Sequence, residues 1–264
     1  MSIIIAIVNQ KGGVGKTTTA INLGASLAVM EKRTLLVDLD PQGNATTGLG
    51  IDRSKLGKSI YDVFVGSFLL TDVLCKTVLP YLFVAPATKD LIGVEIELVP
   101  EEKREERLRS HLQSVVGQFD YILIDCPPSL GLLTLNALTA ANTLIIPLQC
   151  EYYALEGLSS LLETWKLVQK ATNASLTLGG ILLTMFDSRN KLSREVAEDV
   201  RKHFPDRVFH TVIHRNVRLS ESPSHGKPAL VYDFYCNGAQ NYLELAKELV
   251  GNMEGKQNGE KGTG

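Results

Sequence analysis

The sequence predicts an α/β fold: a doubly wound, mostly parallel sheet of about seven or eight strands flanked by helices. Three observations lead to this fold class. Short apolar runs rich in β-branched residues recur along the 264 residues, stretches of helical character separate them, and a glycine-rich loop ending in Lys-Thr joins the first run to the first helix. Strands and helices that alternate in this way form right-handed βαβ units, which build a parallel sheet covered on both faces.

The predicted strands are apolar along almost their whole length, which is typical of strands buried on both faces. They cover residues 3–8, 34–38, 82–85, 121–125, 143–148, 179–184 and 208–213. The predicted helices between them cover residues 16–30, 101–116, 132–141, 155–169, 192–204 and 239–250. The less regular segment 51–80 is expected to be a helical excursion between two strands.

The composition is that of an ordinary globular protein, with 44% hydrophobic and 21% charged residues and a formal net charge of −2. No overall field therefore steers the chain to DNA or to an anionic membrane, and any nucleic-acid binding must come from a local patch. The N-terminus is apolar for about seven residues without a basic region, so we do not expect a signal peptide. No stretch approaches the ~20 apolar residues of a membrane helix.

The four cysteines form no C-x-x-C pair, which argues against a zinc ribbon or a thioredoxin motif. Reduced thiols in a cytoplasmic protein are the simplest interpretation. The cysteines are Cys75, Cys126, Cys150 and Cys236.

The loop after the first predicted strand has the strand–loop–helix context that a phosphate-binding P-loop requires. Its glycines let backbone N–H groups turn toward phosphate oxygens, and the helix N-terminus adds its dipole. We expect Lys16 to reach the β- and γ-phosphates of ATP and the Thr17 hydroxyl to ligate Mg²⁺. The usual G-x-x-x-x-G-K-[ST] pattern is broken at its first position, where Gln10 stands. The expected nucleotide-binding residues of the loop are Lys11, Gly12, Gly13, Val14, Gly15, Lys16, Thr17 and Thr18.

Carboxylates end two of the predicted strands, where they lie beside the phosphate crevice of a parallel sheet. Alternation along the strand points Asp38 and Asp40 to the same side, and the more distal Asp40 is better placed to position an attacking water. Asp125 ends the run Tyr-Ile-Leu-Ile-Asp, a Walker B pattern, and is expected to hold magnesium through water. The candidate metal ligands are Thr17, Asp40 and Asp125. The loop that follows Asp125 contains two prolines and is expected to sense the γ-phosphate.

One domain is expected over residues 1–250, a single P-loop ATPase domain. The last fourteen residues, 251–264, contain five glycines and no large apolar residue except Met253. They are predicted to be a disordered tail.

The motifs resemble those of the ParA/MinD family of deviant Walker A ATPases, and the small chromosomal-type (Soj-like) members above all. The resemblance covers residues 2–250. The motifs that show it are GGVGKT preceded by Lys11, DLDPQGN at 38–44, DCPPS at 125–129, QCEYYALEG at 149–157 and NVRLSESPSHGKP at 216–228.

This resemblance implies a slow ATPase that hydrolyses ATP to ADP and phosphate, with Lys11, Lys16 and Asp40 as catalytic residues. It implies that Lys11 reaches the nucleotide of a second subunit in an ATP-bound homodimer, and that Asn216 borders the adenine. It further implies non-specific binding of double-stranded DNA, a ParB-like protein that stimulates hydrolysis, and a cytoplasmic, nucleoid-associated location.

A mild basic bias marks the region expected to bind DNA. Residues 187–227 contain nine lysines and arginines and six acids, a net charge of +3 in a chain of −2, and four of the five histidines. On charge alone an ordinary solvated face explains this bias. The family resemblance favours Arg189 and Arg218 as DNA-binding residues, with Arg215 and Lys227 as further candidates. Such binding neutralises phosphates and weakens steeply with salt.

Four alternatives remain beside a DNA-partitioning switch. A ParA-like ATPase that positions a protein cargo would carry nearly the same sequence. A MinD-like membrane-cycling ATPase needs a basic amphipathic C-terminal helix, whereas the tail after Val250 has no net charge and no apolar face. A relative of the nitrogenase iron protein needs two well-placed cluster cysteines. A repressor with its own helix-turn-helix would need residues before the P-loop, which begins at residue 10.

Overall fold

A seven-stranded sheet forms the centre of the protein. The computed structural model describes the backbone of residues 2–261 and the side chains of residues 2–253. The strands are β1 (Ile3–Ile7), β2 (Thr34–Asp38), β3 (Cys75–Lys76), β4 (Leu82–Ala85), β5 (Tyr121–Asp125), β6 (Thr143–Gln149) and β7 (Thr177–Thr184). Their order across the sheet is β3-β4-β2-β5-β1-β6-β7. Only the β3–β4 pair among these is antiparallel, so the predicted mostly parallel sheet is confirmed.

Helices connect the strands and cover the sheet. The α-helices are α1 (Lys16–Val29), α2 (Asn44–Gly48), α3 (Ile60–Phe64), α4 (Val94–Glu97), α5 (Arg107–Leu112), α6 (Leu132–Ala140), α7 (Ala154–Ala171), α8 (Lys191–His203), α9 (Val217–Glu221), α10 (Ala229–Tyr232) and α11 (Asn237–Lys261). Short 3-10 helices lie at Arg53–Lys55, Leu70–Val73, Lys89–Gly93, Arg104–Glu106 and Ser222–His225.

Both faces of the sheet are buried, as the apolar strands predict. In β1, Ile4 and Ala6 pack into one apolar core together with side chains of α6 and α7. Ile5 and Ile7 point to the opposite face and pack into a second core with α1 and α11. Successive residues of a strand face opposite sides of the sheet. A continuous apolar run therefore buries all of its side chains only when other elements cover both faces.

The predicted strand at 208–213 does not form a regular strand. The segment runs beside β7, where the N–H of Phe209 donates to Ile181 O at 3.0 Å and the N–H of Ile213 donates to Leu183 O at 2.9 Å. Between these bonds the Glu248 carboxylate accepts the N–H groups of His210 and Thr211 at 2.8 and 2.9 Å. A side chain of α11 therefore replaces the strand partner, and the ladder is interrupted.

Two other expectations needed correction. The predicted helix 101–116 is shorter, because Lys103 has a left-handed backbone (φ 53) and the regular α-helical part is only Arg107–Leu112. The segment 51–80 contains the two-residue edge strand β3 beside its helical turns. Such a short strand leaves no periodic pattern in the sequence.

The C-terminal helix α11 continues past residue 250 to Lys261. The domain boundary at residue 250 and the disordered tail 251–264 remain predictions, since residues 262–264 and the side chains from residue 254 onward lie outside the described residues. None of the helices in the described part of the chain combines the length and apolar composition needed to cross a bilayer.

The sheet topology fixes where a ligand can bind. The connection from β1 leads to β2 on one side of the sheet, whereas the connection from β5 leads past β1 to β6 on the other side. Chain connections that diverge in this way leave a crevice at the carboxyl ends of the central strands. The glycine-lysine loop after β1 and the carboxylates after β2 and β5 meet at that crevice.

Candidate nucleotide site

The loop after β1 is held open by contacts at both of its ends. The Asn9 side chain donates to Pro147 O at 2.8 Å and accepts the N–H of Lys11 at 3.0 Å. Further along, the Thr184 hydroxyl of β7 donates to Val14 O at 2.8 Å. The neighbouring strand ends therefore fix the loop, whose glycines stay free to face the crevice.

Two glycines of the loop have backbone angles that side chains rarely adopt. Gly13 has φ 76 and Gly15 has φ 91, and Gly15 caps the N-terminus of α1. A Cβ at Gly12 or Gly13 would have no atom within 4 Å, so the space over the loop is open. Backbone N–H groups at the N-terminus of a helix, beside an open space, suit a phosphate.

Lys16 brings a buried cation into this space. Its side chain folds back over the loop, and Nζ donates to Lys11 O at 3.0 Å. Burial lowers the pKa of Lys16, while the nearby Asp125 carboxylate opposes this shift. A buried ammonium group with one carbonyl partner gains most from a negatively charged ligand.

Asp125 lies beneath the loop and is fully buried, and among the described residues neither carboxylate oxygen makes a hydrogen bond of standard geometry, although the Thr17 hydroxyl lies close enough to lower its pKa. Burial raises the pKa of Asp125 well above its usual value, and the negative charge of Asp38 adds to the shift. The Thr17 hydroxyl and the charge of Lys16 oppose it. An orphaned buried carboxylate of this kind is the signature of a site that needs a cation.

Magnesium fits this arrangement. The described residues contain no group of three or more His, Cys, Asp or Glu side chains that could hold a metal by themselves. Mg²⁺ is commonly bound through one or two carboxylates, a hydroxyl, waters and phosphate oxygens, which is the donor set that Asp125, Thr17 and a nucleotide offer together. Asp40 is 8% exposed and lines the same cleft.

Asp38 has a role that the sequence did not reveal. Its carboxylate accepts the N–H and hydroxyl of Thr46 at 2.8 and 2.7 Å and the N–H of Asp40 at 3.2 Å. The Thr46 hydroxyl in turn accepts the N–H of Ala87 at 2.9 Å. Burial raises the pKa of Asp38 to about 6. The network fixes the loop after β2 and leaves Asp40, whose carboxylate accepts the N–H of Gln42 at 2.9 Å, beside the cleft.

The phosphate cleft continues into a second cleft that suits a nucleoside. The first has a volume of about 350 Å³ and the second about 280 Å³, and they share Gly15, Thr18 and Met185. Met185 follows β7 with a left-handed backbone (φ 49), which no sequence pattern signalled. Asn216 lines the second cleft, and its side chain accepts the N–H of Arg218 at 2.9 Å, which caps α9; its contact with adenine stays a prediction.

Lys11 points out of the phosphate cleft. Its ammonium group forms an ion pair with Glu151, which precedes α7, and both side chains are partly exposed. Sequence reasoning missed Glu151, since 140 residues separate the two. Any other contact of the Lys11 ammonium group requires this pair to open.

The two favoured DNA-binding candidates already have acidic partners. Arg189 forms two hydrogen bonds of 3.0 Å with Asp187 and lowers the pKa of that carboxyl to about 2. Arg218 pairs with Glu221 at 2.9 Å and with Asp233 at 3.3 Å. Their charges are therefore partly neutralised within the chain.

The other two candidates differ from each other in position. Arg215 lines the nucleoside cleft, and its backbone N–H donates to Phe186 O at 3.1 Å. Lys227 is exposed and forms no ion pair with the side chains that the structure describes. All four lie in the segment 187–227.

A buried lysine, a glycine cradle at a helix N-terminus and an orphaned carboxylate at the switch point of a parallel sheet define a P-loop nucleotidase. A family model described as an AAA domain matches residues 2–178. The sporulation initiation inhibitor protein Soj of Bacillus subtilis (strain 168) is 58% identical over 252 residues, which cover 96% of this chain and 100% of that protein. The chromosome partitioning protein ParA of Myxococcus xanthus (strain DK1622) is 57% identical over 247 residues, 94% of this chain and 87% of that protein.

Among solved structures, cobyrinic acid a,c-diamide synthase from Mycobacterium smegmatis with bound ADP and magnesium is 40% identical, with a TM-score of 0.85 and 96% of each chain covered. The chain belongs to the ParA/MinD family of deviant Walker A ATPases, and it is an ATPase. Its curated relatives of high identity place it with the chromosome-partitioning members of that family.

Proposed function

We propose that this chain is an ATP-dependent switch for DNA partitioning, with ATP and magnesium as cofactors. The observation that carries the proposal is the buried group of Lys16 and Asp125 under an open glycine cradle. Lys16 and the loop N–H groups would stabilise the charge on the γ-phosphate, and Asp125 with Thr17 would hold the ion. Asp40, at the rim of the cleft, would orient the attacking water.

A second subunit would complete the site. Lys11 does not line the phosphate cleft of its own chain, and its ammonium group pairs with Glu151 instead. A γ-phosphate offers Lys11 more negative charge than the single Glu151 carboxylate, so bound ATP would draw the lysine across to a partner's nucleotide. ADP lacks that charge, and hydrolysis would release the dimer.

The ATP-bound dimer would bind double-stranded DNA without sequence preference. One chain offers only a modest basic region, and a dimer joins two of them, which raises the effective concentration of the second site. A ParB-like protein would accelerate hydrolysis and thereby release the dimer from DNA. We place the protein in the cytoplasm, associated with the nucleoid.

Asp40→Ala tests the switch. We expect ATP hydrolysis to fall about 100-fold or more, because the attacking water loses its positioning carboxylate. ATP binding and the dimer persist, since Lys16, Asp125 and Lys11 are intact. The measurement is phosphate release together with gel filtration in ATP, with Asp199→Ala, an exposed aspartate on α8, as the control. A variant that stays monomeric in ATP would refute the switch.

Arg218→Glu tests the DNA surface. We expect DNA affinity to fall about tenfold at low salt, because the change removes phosphate-neutralising charge from both subunits of the dimer. ATP-dependent dimerisation is expected to stay unchanged in gel filtration.

Glu221→Gln is the matched partner experiment, since Glu221 lies 2.9 Å from the Arg218 guanidinium. It frees part of that charge, so DNA affinity is expected to rise. Fluorescence anisotropy with labelled duplex DNA measures both variants. Equal affinities for both variants and the unmodified protein would remove Arg218 from the DNA site.

A further inference from the structure

The loop that leads from β2 to α2 has a basic residue on its outer side. Arg53 begins the 3-10 helix that follows α2, and Asp52 caps that helix by accepting the N–H of Ser54 at 3.0 Å. The Arg53 guanidinium group is half-buried and donates to the carbonyl oxygens of Gln42 and, at 3.1 Å, Pro41. It forms no ion pair with any side chain in the described part of the chain. Two backbone carbonyls therefore hold a charge that commonly binds a carboxylate.

The guanidinium group occupies space that Gly43 leaves open. A Cβ atom at Gly43 would lie 2.6 Å from Cζ of Arg53. That distance is well inside the roughly 3.5–4.0 Å separation of non-bonded carbon atoms. Gly43 also has a left-handed backbone, with φ 64. The missing side chain therefore permits both the tight turn and the close approach of Arg53.

A single peptide group connects Arg53 to the Asp40 carboxylate. The Pro41 carbonyl that accepts from Arg53 belongs to the same peptide group as the N–H of Gln42, and that N–H donates to Oδ1 of Asp40 at 2.9 Å. A peptide group is planar, and in its trans form the C=O and the N–H point in opposite directions. Because Arg53 holds the oxygen, it also fixes the direction of the N–H and, with it, one oxygen of the carboxylate.

The charge of Arg53 strengthens this connection, because it draws electron density toward the Pro41 oxygen and makes the Gln42 N–H a better donor. The backbone of Asp40 is held separately. Its N–H donates to Asp38 at 3.2 Å, and its C=O accepts the N–H of Gly43 at 2.8 Å. The inner contacts therefore fix the main chain of Asp40, whereas Arg53 acts on its carboxylate.

We propose that Arg53 is a positioning residue for ATP hydrolysis, which keeps the Asp40 carboxylate directed at the attacking water through the Pro41–Gln42 peptide. Asp40, Gln42 and Asn44 line the phosphate cleft, whereas Arg53 does not. Arg53 therefore acts through this segment and not on the nucleotide. The inference rests on the proposed role of Asp40 and is independent of the proposed dimer and of DNA binding.

The first test separates hydrolysis from nucleotide binding. Arg53→Met removes the guanidinium donors and keeps the apolar part of the side chain. We expect kcat for hydrolysis of ATP with magnesium to fall about 10-fold, because a misdirected carboxylate no longer aligns the water, and KM to change by less than about twofold. Arg53→Lys can still donate to one carbonyl, so its kcat is expected to recover to within about threefold of the unmodified protein. Lys55→Met, on the same 3-10 helix and 83% exposed, is the control and keeps both constants.

A double-mutant cycle tests whether Arg53 acts through Asp40. In the Asp40→Ala background, Arg53→Met is expected to change the single-turnover rate by less than about twofold, because the group that Arg53 positions is already absent. Circular dichroism confirms that each variant is folded.

Three results would overturn the inference alone: an unchanged kcat for Arg53→Met, no recovery by Arg53→Lys, or a further loss of about 10-fold in the Asp40→Ala background. Normal hydrolysis by Asp40→Ala would refute the proposed role of Asp40 and this inference together, so the two failures are distinguishable.

Discussion

Replacing Lys16 with alanine is expected to lower ATP affinity about 100-fold or more and to abolish measurable hydrolysis. The reason is the position of its ammonium group, which is buried over the loop and, within the described part of the chain, donates to the Lys11 carbonyl alone. Removal of a preorganised charge of this kind costs about 3–4 kcal/mol in a site from which water is excluded. Isothermal titration with ATP and magnesium measures the affinity, and phosphate release measures hydrolysis.

The same variant tests the coupling between nucleotide and DNA. If ATP completes the DNA-binding dimer, Lys16→Ala loses nucleotide-dependent DNA binding together with ATP binding. The control is Lys55→Ala, since Lys55 is 83% exposed and pairs with Asp52 on the surface. DNA binding by Lys16→Ala at the affinity of the unmodified protein would show that the DNA surface acts independently of the P-loop.

Replacing Asp125 with asparagine is expected to change activity and stability in opposite directions. Magnesium-supported hydrolysis falls about 100-fold or more, since a metal ion contributes several kcal/mol to the stabilisation of the transition state. The nucleotide-free protein becomes more stable, because asparagine removes a fully buried carboxylate that makes no hydrogen bond of standard geometry among the described residues. At about 2–4 °C for each kcal/mol in a chain of this size, thermal unfolding detects a change of about 1–3 kcal/mol.

The pH dependence of unfolding shows whether the Asp125 carboxyl group stabilises or destabilises the folded protein. The folded state raises the pKa of Asp125, so the protonated form is favoured in the native protein. The stability that this proton provides is fully present below the unfolded pKa of about 4 and is lost as the pH rises through the raised pKa. The neighbouring Asp38, with its pKa raised to about 6, acts in the same direction between about pH 4 and pH 6.

We therefore expect the gain in stability from Asp125→Asn to be small near pH 4 and to grow as the pH rises. Differential scanning calorimetry of the nucleotide-free protein at several pH values measures it. Asp199→Asn, a change at an exposed aspartate, serves as the control and leaves the curve unchanged. A variant less stable than the unmodified protein at neutral pH would show that the Asp125 charge is satisfied within the chain.

Much of the fold could be predicted because its elements depend on residues that are close in the sequence. Each continuous apolar run became a buried strand, with the exception of 208–213. That segment failed as a strand because Glu248, far away on α11, takes the N–H groups of His210 and Thr211. The sequence of a strand does not show which distant side chain competes for its backbone.

The sequence by itself determined the phosphate loop and the order of strands and helices, since turn glycines, helix starts and strand-end carboxylates are local features. Only the tertiary structure decided what those features contact. It paired Lys11 with Glu151, joined Asp38 to Ala87 through Thr46, and placed the fully buried Asp125 beside Lys16. These contacts join residues that are far apart in the chain, so they depend on how the sheet and its helices pack and leave no local pattern to read.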